Sequence, residues 1–308
     1  MNNNNLHLPE ALAAPRQHFL TASGERIAYY ADTSGTGRPL VLIHSINAAP
    51  SSFELQPLFA HYQGQRPVYS LDLIGFGHSE RPDCAYTPAR FSAVIAEFLT
   101  KVVQQPADVL ALSLSSEFAA RATLAAPALV HSLVLISPTG FMTRPLPSAR
   151  AARITHRLLR LPGLSQWLYN LVASRRSIRY FLGRSFVGAV PEALIDYAHA
   201  TAHQPGARHA PLTFLSMQLF TPDAPAQLYD RLALPVLVIA DQDPYITFER
   251  LDAFVAAHST WRSVSLAPHL GMPQWEKLPE VVAALAQFWE QVEVGKSSLN
   301  SDSRRVHD

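Results

Sequence analysis

Ser113, Asp243 and His269 are three side chains whose types and order in the chain suit nucleophilic catalysis. A serine hydroxyl is a weak nucleophile at neutral pH, so it needs a base such as histidine within hydrogen-bonding reach. An aspartate beside that histidine holds its tautomer and stabilises the charged imidazolium. A serine, a histidine and an aspartate that the fold brings together could therefore attack a carbonyl carbon, with the serine as nucleophile, the histidine as base and the aspartate as the acid that orients it.

The stretch around Ser113 indicates how that hydroxyl would be presented. An apolar run, Val109–Leu112, ends at the serine, and an alanine-rich stretch of helical type follows it. Strand, serine and helix in this order are typical of a nucleophile elbow. The residues two before and two after must be small; they are Ala111 and Ser115, and each has a Cβ that glycine would lack. Taken alone, a serine at this place is more often a helix N-cap.

The elements around these residues predict an α/β fold. Strand-like and helix-like segments alternate over residues 17–140 and again over 231–293, which favours a mostly parallel, doubly wound sheet of about eight strands. Residues 141–230 have no convincing strand, and we interpret them as a helical lid inserted after the sixth strand. Residues 1–16 and 294–308 are expected to be disordered tails. No feature of the sequence predicts an oligomeric state.

Composition excludes several classes of function. A net charge of +1 argues against a nucleic-acid partner, and no apolar run approaches the roughly 20 residues of a membrane span. Cys84 is the one cysteine, and the first residues lack the pattern of a secretion signal, so we expect a cytoplasmic protein. His199 and His203 are four apart, but further metal ligands are not evident. We expect no metal, no cofactor and a small-molecule substrate.

Four stretches together resemble the α/β-hydrolase fold family. They are His44–Asn47, the loop Asp72–Pro82, the elbow at Ser113, and Asp243-Pro244 followed by His269. The loop Asp72–Pro82 matches the family's Asp-Leu-x-Gly-x-Gly-x-Ser-x-x-Pro pattern and is the most specific of the four. The resemblance implies a cofactor-free serine hydrolase that cleaves a carboxylic ester of a small hydrophobic substrate through an acyl-enzyme.

The resemblance also implies particular site residues, with Ser113 as the nucleophile, His269 as its base and Asp243 as the acid that orients His269. The oxyanion hole would be formed by the backbone N–H of Leu114 and that of Ile46 or Ser45. Side chains expected near the substrate are His44, Asn47, Phe141, Trp167, Phe214 and Phe220. Asp241 is the nearest competitor of Asp243. The family's acid stands directly before such a proline, which favours Asp243.

The sequence departs from the family pattern at several glycines, and this leaves alternatives open. Ser45, Ala111, Ser115 and Pro268 stand where the family usually has glycine. Hydrolysis of a C–C bond and acyl transfer are alternatives within the fold. A non-catalytic binding protein on the same scaffold is the alternative from another class.

A basic segment lies inside the expected lid. Between Glu117 and Glu192 the chain has ten arginines and no acidic residue. Residues 148–161 are predicted to form an amphipathic helix, with arginines on one face and apolar residues on another. Either the apolar face packs on the core, or the segment borders a hydrophobic pocket with a basic rim. Such a rim would favour an anionic substrate, an acidic partner or an anionic membrane surface.

Overall fold

The chain folds around one eight-stranded sheet. The structure is a computed structural model that describes residues 8–305, with side chains described as far as Gly295. The strands lie in the order β1-β2-β4-β3-β5-β6-β7-β8; β2 is antiparallel to β1 and β4, and the other neighbours are parallel. They are β1 (Arg16–Leu20), β2 (Arg26–Asp32), β3 (Leu40–Ile43), β4 (Val68–Leu71), β5 (Ala107–Leu112), β6 (Val130–Ile136), β7 (Val236–Ile239) and β8 (Trp261–Val264).

Helices cover both faces of the sheet, as the alternating pattern predicts. Successive side chains of a strand point to opposite faces. In β3, accordingly, Val41 packs in the hydrophobic cluster that contains Phe91 and Phe118, and Leu42 packs in the cluster that contains Phe59 and Leu285. The helices outside residues 141–230 are α1 (Gln56–Tyr62), α2 (Pro88–Phe98), α3 (Ser115–Ala125), α10 (Leu251–Ala257), α11 (Pro273–Glu276) and α12 (Leu278–Arg305).

A helical insertion separates β6 from β7, which is the place predicted after the sixth strand. Its helices are α4 (Ala149–Leu159), α5 (Leu164–Val172), α6 (Arg175–Gly183), α7 (Glu192–Ala202), α8 (His209–Leu215) and α9 (Ala224–Gln227). The insertion has a small core of its own, which includes Tyr169, Ile178 and Ile195. Helix α7 joins it to the rest of the molecule, because the ring of Tyr197 stacks on Phe53 with 4.6 Å between ring centres.

The expectation of a disordered N-terminal tail is wrong for residues 8–16. Residues 1–7 lie outside the described residues, but Leu8 and Leu12 are buried, and the N–H of Ala11 donates a 2.9 Å hydrogen bond to the Tyr30 hydroxyl. The physical reason is apolar burial, because Leu8 and Leu12 belong to the hydrophobic cluster that contains Tyr30. At the other end, α12 continues past residue 293 to Arg305, and residues 306–308 lie outside the described part.

Within residues 8–305, none of the helices has both the length and the apolar character that a membrane-crossing segment needs.

Candidate active site

Ser113 lies in a strained turn between β5 and α3. Its backbone has φ of +51°, in the left-handed region that L-residues rarely adopt. The turn is fixed on both sides: the Ser113 N–H donates to the Ile136 carbonyl at 2.9 Å, and its own carbonyl accepts from Ser116 N–H at 3.0 Å. The residue is partly exposed, although both of its chain neighbours are buried. Strand, strained serine and helix form the context that a nucleophile elbow requires.

The turn accommodates the two residues that replace the usual glycines. Ala111 and Ser115 are both fully buried. The Ser115 hydroxyl donates a 2.6 Å hydrogen bond to the His44 carbonyl, so its extra atoms tie the elbow to the loop after β3.

That loop after β3 is held by a carboxylate which the sequence analysis did not single out. Glu54 is almost fully buried, and its Oε2 accepts the Ser45 N–H at 2.9 Å. Its Oε1 accepts the Ser45 hydroxyl at 3.0 Å and Asn47 Nδ2 at 2.8 Å. The Ser45 N–H is therefore engaged, which differs from the expectation that it could serve an oxyanion. The backbone N–H groups of Ile46 and Leu114 make no hydrogen bond to any described residue.

Both ring nitrogens of His44 are also engaged. Its Nε2 accepts the Leu73 N–H at 2.9 Å, so Nδ1 carries the proton and donates to the Ser45 carbonyl at 2.6 Å. The ring has no exposed surface and joins the loops that follow β3 and β4. His44 and Asn47, both expected near the substrate, thus act as supports of the loop.

Asp243 lies in the turn after β7, where the sequence predicts an acid. Its Oδ1 accepts two backbone N–H groups, from Tyr245 at 2.8 Å and Ile246 at 3.2 Å. Burial outweighs these bonds and raises the pKa of Asp243 to about 6. The other oxygen faces Gly271, since a Cβ built on that glycine would lie 2.7 Å from Oδ2.

His269 is fully buried and is oriented by different partners from those predicted. The backbone N–H of His269 donates to Asp241 Oδ2 at 3.0 Å, and the ring Nδ1 accepts the Gly271 N–H at 3.2 Å. Its Nε2 has no hydrogen-bond partner in residues 8–305, and burial lowers the pKa of the ring. Among the described residues, no hydrogen bond joins His269 to Asp243 or to Ser113. The competitor Asp241, rather than Asp243, contacts the backbone of His269.

The aromatic residues expected to line one pocket differ from each other in burial and location. Phe141 is wholly buried in an aromatic core cluster, stacked on Tyr229 with 5.3 Å between ring centres, so it does not face a substrate. Trp167 is 62% exposed on α5. Phe214 and Phe220 are half-buried, with 5.8 Å between their ring centres. A cleft of about 420 Å³ is lined by Phe220, but not by Ser113, Asp243 or His269.

The loop Asp72–Pro82 is a structural support rather than a source of catalytic groups. Asp72 is fully buried, and its carboxylate accepts the N–H groups of Ser52 and His78, each at 2.8 Å. Any Cβ on Gly77 would lie only 2.0 Å from Asp72 Cγ, so this position has room only for glycine. The motif is therefore explained by the close approach of the Gly77 backbone to Asp72, whose carboxylate holds the segment before α1 through the Ser52 N–H.

A second buried acid, Glu117, lies one turn of helix after Ser113. It accepts the Thr221 N–H at 2.7 Å and the hydroxyl of Thr139, and burial raises its pKa. It joins α3 to the loop after β6 and to the end of the insertion. The signal in the sequence was an isolated acid in an alanine-rich helix, directly after the elbow.

Metal ligands are not grouped in the described part of the chain, where no three His, Cys, Asp or Glu residues come together.

Comparison with known proteins gives consistent results. Human 1-acylglycerol-3-phosphate O-acyltransferase ABHD5 is 33% identical over 111 residues, which are 35% of this chain and 31% of that protein. The chain thus spans about a third of the length of such curated relatives. A serine hydrolase of carbazole degradation (CarC) matches with a TM-score of 0.70 and 17% identity, over 91% of this chain and 100% of that one.

An esterase from Exiguobacterium antarcticum also matches with a TM-score of 0.70, at 14% identity, over 88% of this chain and 98% of that one. At such identities the structural matches speak for the fold alone. The model of the alpha/beta hydrolase family matches residues 40–285, which is most of the chain. The chain belongs to the alpha/beta hydrolase family.

Proposed function

We propose that this protein is a cofactor-free serine hydrolase that cleaves carboxylic esters of small hydrophobic substrates. The observation that carries the proposal is the strained turn at Ser113, with φ of +51°, beside two backbone N–H groups that make no hydrogen bond within the described part of the chain. Strain of this kind persists only where the surrounding structure enforces it, and it is common at active sites.

The proposed reaction has two steps. The Ser113 Oγ attacks the ester carbonyl carbon while its proton passes to His269 Nε2, and the carbonyl oxygen becomes an oxyanion. The N–H groups of Leu114 and Ile46 bind that oxyanion; one such donor contributes about 3 kcal/mol in other enzymes. His269 then protonates the leaving alcohol, which departs and leaves an acyl-enzyme. Water, deprotonated by the same histidine, attacks the acyl carbon and releases the acid together with free Ser113.

The step that the proposal demands of the protein is a rearrangement of the loop around His269. The ring must release the Gly271 N–H, carry its proton on Nδ1 and donate that proton to Asp243. Its Nε2, which has no partner, would then be able to accept from Ser113. Asp243 supports this movement. Burial destabilises its ionised form and raises its pKa to about 6, so a neighbouring imidazolium would stabilise that charge.

The test is turnover of an ester panel of increasing acyl length by wild-type protein and matched variants. Ser113→Ala should lower kcat to background. Ser137→Ala is the control, because Ser137 also has positive φ, +46°, at the end of the neighbouring strand but is buried. His269→Ala and Asp243→Asn should each lower kcat by at least about 100-fold. Turnover that survives in Ser113→Ala would contradict the proposal.

A second candidate function is supported by one observation. Asp243 faces Gly271, and no hydrogen bond joins it to His269, so the described conformation lacks an assembled acid–base pair. This favours a non-catalytic protein that binds an acyl or ester ligand in the same place. Under that alternative, esters would bind without turnover, and Ser113→Ala would leave binding unchanged.

A further inference from the structure

The helical insertion exposes an unusual amount of apolar surface. Most of the exposed large apolar side chains in the described chain belong to α4, α5, α6 and the turns that follow them. They are Ile154, Leu158, Leu161, Leu164, Trp167, Leu171, Tyr180, Phe181 and Val187. These residues and the arginines of α4–α6 are called here the basic apolar face. Exposed apolar side chains concentrated in one part of a protein mark interaction sites.

Helix α4 shows how this face is oriented. Ala152 is buried and His156 half-buried on the side that contacts α8, where His156 Nε2 lies 3.2 Å from the Thr213 hydroxyl. Ile154 and Leu158 lie on the opposite side of the helix and are 48% and 55% exposed. Of the two alternatives in the sequence, packing of this apolar stripe on the core is thus wrong. The stripe faces outward, because periodicity specifies a face but not its direction.

The next two helices continue the arrangement. In α5, Tyr169 is buried while Trp167 and Leu171 are exposed by 62% and 59%. In α6, Ile178 is buried while the rings of Tyr180 and Phe181 are exposed and contact each other at 5.3 Å between centres. Each helix is therefore anchored by one side and presents bulky apolar groups on the other.

Charge identifies the partner. Residues 118–191 contain no acidic residue, and three arginines are paired with acids from outside that range: Arg175 and Arg179 of the face with Asp196 and Glu192, and Arg160, directly after α4, with Asp83. Four more arginines form no ion pair with a described carboxylate, and all of them are exposed: Arg150, Arg153, Arg157 and Arg176. Guanidinium groups beside exposed leucine, tryptophan and tyrosine side chains match the phosphates and acyl chains of an anionic bilayer surface.

We propose that the basic apolar face docks on the surface of a membrane that contains anionic phospholipids. Apolar side chains enter the boundary between headgroups and acyl chains, Trp167 lies at that boundary, and the unpaired arginines bind lipid phosphates. The helices lie on the membrane and do not cross it. A second copy of this chain is a poorer occupant, since a symmetric contact would bring arginines against arginines. An acidic protein would match the charge but would need its own apolar surface.

The experiment is flotation of the full chain with vesicles of phosphatidylcholine alone or with about 30 mol% phosphatidylglycerol, at low and high salt. We expect at least about tenfold tighter binding to the anionic vesicles at low salt, and we expect this preference to disappear at high salt. Arg153→Glu with Arg157→Glu should abolish this preference, and Trp167→Ala should weaken binding at either salt. The control is Arg231→Glu with Arg262→Glu, which changes net charge equally at exposed arginines outside the face.

Binding is the readout, so the result is independent of any chemistry at Ser113. Circular dichroism of each variant shows whether it is folded. Equal binding to both kinds of vesicle, or equal loss in the control pair, would overturn the proposal. Self-association that disappears in Trp167→Ala, without vesicle binding, would assign the face to a second copy. Binding to polyglutamate but not to vesicles would assign it to an acidic protein.

Discussion

The hydroxyl of Ser115 donates a 2.6 Å hydrogen bond to the backbone carbonyl of His44. Ser115 is the second residue after Ser113, a position where glycine is usual in the family. Ser115 and His44 are both fully buried. The bond joins the first turn of α3 to the loop that carries the Ile46 N–H. The departure from glycine thus adds a direct link between the two halves of the proposed oxyanion hole.

Removal of that link should lower stability. Ser115→Ala leaves the His44 carbonyl without this donor in a buried place, so we expect a loss of about 1–2 kcal/mol in the free energy of unfolding, measured in urea. Ser116→Ala is the matched control: its hydroxyl is equally buried but has no partner among the described residues. That change should be neutral or slightly stabilising. Equal losses in the two variants would contradict the role given to the Ser115 hydroxyl.

The carboxyl of Asp243 should make stability depend on pH. Its pKa is raised by burial from 3.8 to about 6, so the folded state binds this proton more tightly than the unfolded state. The ionised group therefore destabilises the fold, and the cost appears as pH rises from about 4 to 6 and is constant above. Asp243→Asn keeps the acceptor for Tyr245 and Ile246 and should be more stable than wild type at pH 8, by on the order of 3 kcal/mol.

The same measurement reports on the His269 pairing. Urea unfolding of wild type and Asp243→Asn at several pH values between 4 and 8 gives the difference directly, and it should vanish near pH 4. If Asp243 instead paired with His269 in the free protein, the pKa of Asp243 would be lowered. The variant would then be less stable than wild type at pH 8, which contradicts the described conformation.

Glu54 should control the conformation of the loop after β3. Glu54→Ala leaves the Ser45 N–H and the amide of Asn47 without their acceptor, and we expect a loss of about 3 kcal/mol in the free energy of unfolding. Glu54→Gln has the same shape but one acceptor oxygen, so its loss should be smaller. Ester turnover should fall in the same order, because the Ile46 N–H would no longer be held in place. Full activity in Glu54→Ala would show that this loop does not contribute to turnover.

Gly77 should tolerate no side chain. A Cβ there would lie 2.0 Å from Asp72 Cγ, so Gly77→Ala should displace Asp72 and cost at least about 3 kcal/mol, measured by urea unfolding. Gly64→Ala is the control, since Gly64 also has positive φ, +76°, but has open space around it. Its cost should be about 1 kcal/mol, from backbone strain alone. Similar costs in both variants would contradict the close approach of Gly77 to Asp72.

The sheet could be predicted from the sequence because each strand and helix carries its own periodicity, and parallel order follows from their alternation. The turn at Ser113 was predictable for the same reason, because strand, small residues and helix are contiguous. The conformation of the loop around His269 was not predictable. It depends on Asp241, which accepts the backbone N–H of His269, and on Gly271, whose N–H donates to the ring.

The sequence also did not predict which apolar side chains are buried and which face outward. Phe141 has the composition of a pocket residue, but Tyr229 and Trp261, which lie about 90 and 120 residues later in the chain, enclose it in the core. The apolar stripe of α4 was recognisable as a stripe, but its exposure depends on α8, which packs on the opposite side. Glu54 was not recognised because a buried acid outside any motif has no signature in a single sequence.

The most direct test of the central claim, that Ser113 is a nucleophile, is covalent labelling with a fluorophosphonate followed by peptide mass spectrometry. The proposal predicts one adduct, on the peptide that contains Ser113. The adduct should be absent in Ser113→Ala and unchanged in Ser137→Ala. No adduct in the folded wild-type protein, or an adduct that persists in Ser113→Ala, would contradict the claim.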